Sequence, residues 1–154
     1  MTSEQYRLLL QDLARVAGMA DAKGLLENGR VRIGEFNALL VHEPTYDEDL
    51  LQVRILLGGF PAEQSDIVAK ALLEANYVSG FGGECVFSLF PDSDDVVITM
   101  RMRLHSSLRA QELWQELSDI AKHGSQMWQG IAAAVQPAPG SFLPHLQSAE
   151  GQRV

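Results

Sequence analysis

The chain has 154 residues, 46% of them hydrophobic and 21% charged, and 20 acidic against 12 basic side chains give it a net charge of -8. That length suits one domain with a sizeable core. The acidity argues against a nucleic-acid binder, which needs a basic stripe, and against docking on an anionic membrane surface. No apolar run approaches the roughly 20 residues of a membrane-spanning helix. Cys85 is the only cysteine, so no internal disulfide forms, and it reads as a core thiol of a cytosolic protein.

The opening stretch, MTSEQYRLLLQDLARVAG, lacks the basic start and unbroken apolar run of a secretory signal. It reads as a helix instead. Thr2 and Gln5 can form a capping box, and Tyr6, Leu9, Leu10, Leu13, Val16 and Ala17 recur at helical spacing, so a helix is predicted over about Ser3 to Val16. Leu8 falls off that stripe. The segment ENGRVRIGEFNALLVHEPTYDEDLLQVRILLGGFP then predicts a three-stranded meander, with turn signals at Asn28-Gly29 and Gly34-Glu35 and a polar loop at EPTYDED. In its third strand Leu51, Val53, Ile55 and Leu57 share one face, with Gln52 and Arg54 on the other.

Pro61 stands where the first helical residue of a second helix is favoured, and that helix should run to about Asn76. Ile67, Val68, Ala71, Leu72 and Ala75 form its stripe, while Ala69 and Leu73 lie off it. A surface helix needs one apolar face, and this one has more. It should pack against its own sheet and against something else. Two strands follow, Glu84 to Phe90 and Val96 to Leu104, the second alternating Val96, Ile98, Met100, Met102 and Leu104 against Val97, Thr99, Arg101 and Arg103. Ser107 can cap a third helix from about Leu108 to Ala134, with Trp114 and Trp128 as core residues; Pro137 bars continuation. Residues 136-154 read as a flexible tail.

Chemistry-bearing patterns are sparse. Gly80, Gly82 and Gly83 stand between a helix and a strand, the reverse of the strand-glycine-helix order of a phosphate loop, so they read as a chain reversal. The acidic PDSDD lacks the glycine and distal glutamate of a calcium loop and reads as a solvated hairpin turn. His42, His105, His123 and His145 do not pair at metal-ligand spacing, and no serine sits in a G-x-S-x-G elbow. Arg54, Arg101 and Arg103 share polar strand sides; an anion site is one reading, and a solvated strand face is the commoner one. These readings predict no catalytic site, cofactor or metal.

The ordered set LLGGFPAEQSDIVAKALLEAN, FSLFPDSDDVVITMRMRL and LWQELSDIAKHGSQMWQ, over about Ser3 to Val135, resembles the class I chaperones of bacterial type III secretion, the Tir-chaperone-like family. The resemblance implies an α+β fold of order α-β-β-β-α-β-β-α, with a twisted antiparallel sheet flanked by helices, in a homodimer. It implies a cytoplasmic protein that binds the N-terminal region of secreted effectors without nucleotide and keeps it secretion-competent. It also allows contact with the secretion ATPase. By that resemblance Val68, Ala71, Leu72 and Ala75 are dimer contacts. Leu8, Val31, Ile33, Phe36 and Leu40 are candidates for effector contacts, with plain core packing as the competing role. Two other readings stand beside this one. A curved α+β roll could enclose a ligand or a reaction, given convergent polar groups on its concave face. A chaperone-like adaptor could also serve some process other than secretion.

Overall fold

The computed structural model describes residues 1-78 and 85-135. The predicted chain reversal at Gly80, Gly82 and Gly83 and the predicted tail lie outside them.

Helix α1 spans Ser3–Val16. Its start is closed as the sequence predicts. The Gln5 amide donates to the Thr2 hydroxyl at 3.2 Å, and the Thr2 amide donates to the Gln5 side-chain oxygen at 2.9 Å. A short helix α2, Lys23–Asn28, then intervenes where the sequence pattern predicts none. Gly29 is its left-handed C-cap, so Asn28-Gly29 ends a helix rather than turning a hairpin.

Strands β1 (Arg30–Ile33), β2 (Phe36–His42) and β3 (Leu50–Gly59) form the expected meander, each antiparallel to the next. Pro61 precedes a single 3-10 turn, Ala62–Gln64, that leads into helix α3, Ser65–Val78. The chain returns as β4 (Cys85–Leu89) and β5 (Asp95–Arg103), joined through PDSDD with Asp92 in the left-handed region. Helix α4 runs Ala110–Val135. Ser107 does not cap it: its hydroxyl lies 3.0 Å from His105 Nδ1, and the Arg109 amide donates instead to Glu112 at 3.1 Å. Glu112 therefore closes the first turn from inside the helix.

The sheet order is β1-β2-β3-β5-β4, antiparallel throughout. Alternation sends one row of each strand into the core. Leu51, Val53 and Ile55 of β3 are fully buried, as are Val96 and, within 2%, Ile98 of β5. Against them pack Leu10 and Leu13 of α1, and Leu113, Leu117 and Trp128 of α4. Gly124 lets α4 approach closely, because a Cβ there would stand 3.1 Å from Ile98 Cδ1. Trp128 meets Phe60 edge-on at 6.3 Å, and Trp114 is half-buried against the same core. Cys85 is half-buried rather than sealed. The fold is thus α+β, a five-stranded antiparallel sheet with its core between one sheet face and the helices.

Candidate partner-binding surfaces

Helix α3 divides its apolar residues between two sides. Val68 and Leu72 are sealed against the chain's own core, at 0% and 3% exposure. Ala71 and Ala75 are half-buried. The surplus implied by the sequence lies instead at Ile67, Leu73, Tyr77 and Val78, all exposed. Two of the four residues assigned to a dimer contact therefore face inward, and Leu73, which the periodicity leaves off the stripe, faces out. Val86 and Phe90, on and just after β4, are exposed as well.

Asn76 fixes α3 to the sheet. Its side-chain amide donates to the Phe87 carbonyl at 2.9 Å, and its carbonyl accepts from the Phe87 amide at 2.7 Å. A carboxamide thereby takes the place of a neighbouring strand at the outer edge of β4. The opposite edge is β1. Among the described residues, no backbone hydrogen bond reaches β1 from the side away from β2. That edge presents unpaired backbone groups, the requirement for adding a strand from another chain.

The residues assigned to partner contact divide in the same way. Val31, Ile33 and Leu40 are buried at 3–4% exposure, because their strand positions point to the core. Their side chains offer no free surface. Leu8 is exposed, at 50%, and lines a groove of about 510 Å³ between α1 and the start of α4, with Leu9, Val16 and Leu108. Arg109 borders it, bonded to Glu112 at 2.5 and 3.0 Å, and this bond holds the Glu112 carboxyl below its usual pKa. Phe36 is half-buried and lines a second, smaller groove with Leu57 and Trp128. Between α1 and β2, Tyr6 stacks at a tilt on His42 with ring centroids 4.2 Å apart, and burial pushes its phenol up to about 12. The Asp49 carboxyl is held low mainly by its hydrogen bond with the N-terminal amine. Among the described residues, no three His, Cys, Asp or Glu side chains gather as a metal site, and no helix is long and apolar enough to cross a membrane.

The model of the Tir chaperone protein (CesT) family matches residues 8–120. The chain belongs to that family. A search of curated proteins gave no match. Among solved structures, the crystal structure of the ExsC-ExsE complex is similar over 84% of this chain and 95% of that one, with a TM-score of 0.58 and 13% identity. At that identity the likeness concerns the fold. The family match starts at Leu8 in α1 and ends at Ile120 in α4, so it takes in the β1 edge, all of α3 and the strand residues of the Phe36 groove.

Proposed function

We propose that this chain is a cytoplasmic chaperone of type III secretion, binding the N-terminal region of one or more secreted effectors without nucleotide and without folding it. The observation that carries the reading is the β1 edge of a CesT-family chain, which no backbone of the described residues pairs on its outer side, with the exposed Leu8 groove and the half-buried Phe36 available for apolar anchoring. The similar solved fold is that of a complex, ExsC with ExsE, which supports a protein as the partner here. Val31 and Ile33 contribute through their backbone, because their side chains are spent in the core. An extended segment of about 30 residues reaches roughly 100 Å, enough to pass along the sheet edge and over α1. Backbone pairing tolerates varied sequences, and each buried apolar anchor adds on the order of 1.5 to 3 kcal/mol before ordering costs.

The test is calorimetric titration with N-terminal fragments of effectors encoded beside the gene. Leu8→Asp and Phe36→Asp should weaken capture at least tenfold with the fold intact by circular dichroism. Ile33→Asp is a poor probe, since it places a charge in the core. Absence of binding by every fragment, or a requirement for ATP, would overturn the reading.

A further inference from the structure

The sheet side turned away from the core carries a concentration of positive charge that the chain's acidity hides. Directly opposed residues of antiparallel strands share a face. Arg30 opposes Leu39, Leu39 opposes Arg54, and Arg54 opposes Thr99, so one row crosses four strands. Alternation adds Arg32 on β1 and Arg101 and Arg103 on β5. All five arginines are exposed. They are five of the 12 basic residues of a chain whose net charge is -8. The three lysines, Lys23, Lys70 and Lys122, all lie on helices. Asp95, at the start of β5, is the only carboxylate in the five strands, and it accepts a hydrogen bond from the Ser93 hydroxyl.

The arginines are also largely unneutralised. Arg103 pairs with Asp47 at 2.7 Å, but among the described residues no carboxylate pairs with Arg30, Arg32, Arg54 or Arg101. Among the described residues, Arg54 bonds the neutral Gln52 amide and Arg32 the Gly34 carbonyl. Arg30, Arg32 and Arg54 line a groove of about 620 Å³ whose apolar lining includes Leu39, Leu56 and Phe90, with Arg101 and Arg103 farther along the same face on β5.

We infer that this face docks an acidic polypeptide segment in which carboxylates alternate with apolar side chains. Arginine forks bind carboxylates in pairs of parallel hydrogen bonds, which a lysine does not do. The apolar floor between the forks takes the intervening side chains. The net charge of -8 repels long polyanions and anionic membranes at a distance, whereas a short acidic segment meets mainly the local field of the arginines. This surface adjoins the β1 edge at Arg30 and Arg32 and extends from it across β3 and β5, and the inference does not require the partner to be a secreted protein.

The probe is a fluorescein-labelled peptide of about 10 residues, roughly 33 Å extended, with glutamate alternating with leucine or serine. The full chain should bind it in low salt, weaken with added sodium chloride, and ignore the same peptide with lysine for glutamate. Arg54→Gln with Arg101→Gln, and the corresponding pair to Glu, should weaken binding at least tenfold with unchanged thermal melting. Hydrogen exchange should slow in β3 and β5 on binding. The inference is overturned by no binding of the acidic peptide, by undiminished binding in both paired variants, or by tighter binding of an oligothymidine or of phosphatidylserine vesicles. Effector-fragment capture reads separately, through Leu8→Asp and Phe36→Asp, so the two readings fail independently.

Discussion

Gly29 shows how little freedom one position can have. It caps α2 at φ 68°, and a Cβ there would fall 2.0 Å from the Leu40 carbonyl oxygen, which belongs to the strand bonded back to it. The left-handed backbone alone disfavours any side chain by about 1–2 kcal/mol, and the contact adds to it. Gly29→Ala should lower unfolding free energy by at least about 2 kcal/mol in urea, with the loss seen first at the α2–β1 junction by hydrogen exchange. Gly34, also left-handed but with open space around it, should tolerate alanine better. Tyr6 offers a pH test. Its phenol is raised to about 12 by burial, so the neutral form is favoured in the folded chain. Its contribution is complete below the unfolded value near 10 and is lost as pH rises through about 12. The latest part of the tyrosinate absorbance rise should vanish in Tyr6→Phe, and that variant's stability should fall less between those pH values.

At the scale of elements, alternation and helical spacing made the strands and the three long helices legible. The Leu51-Val53-Ile55-Leu57 face and the Thr2-Gln5 box stand where the sequence places them. Helix α2 was not legible, because six residues carry too little periodicity to show, and its closing glycine also suits a turn. The allocation of α3 was half legible. Periodicity reveals surplus apolar surface but cannot tell which side the sheet takes, and Asn76 decides that by gripping Phe87. No sequence signal marks a lone asparagine as a strand-edge cap. Asn76→Ala should cost roughly 1–3 kcal/mol, because it leaves a part-buried amide and carbonyl of β4 without partners. Amide exchange at Phe87 should accelerate well beyond that of β3. An unchanged exchange rate would mean that water replaces the carboxamide without loss. Of the residues expected at a partner contact, Leu8 is exposed as a contact would require. Val31, Ile33 and Leu40 satisfy the pattern of a strand core just as well, and the core claims them.

For the whole molecule, the exposed apolar residues are unevenly placed. Among the described residues, six of nine exposed large hydrophobics, Ile67, Leu73, Tyr77, Val78, Val86 and Phe90, lie on α3 or on and just after β4, and those two elements pack together. The surface of one chain leaves them in water, where each Å² of apolar area costs about 25 cal/mol. A two-fold contact with a second copy through α3 would cover this end of the sheet, and a standard interface removes roughly 1,600 Å² in total. The informative substitution is then at Leu73, which is 71% exposed, rather than at Val68 or Leu72, whose replacement by a charge would unfold the single chain. Leu73→Glu brings the same charge to both halves of a self-complementary contact while leaving the core untouched. Light scattering on a sizing column should give a dimer for the unaltered chain and a monomer of native circular dichroism for Leu73→Glu. The variant should also show a melting temperature that no longer rises with protein concentration. Ala71→Glu, at a half-buried position on the same helix, should act in the same direction. A Leu73→Glu chain that remains dimeric at micromolar concentration would move the interface away from α3.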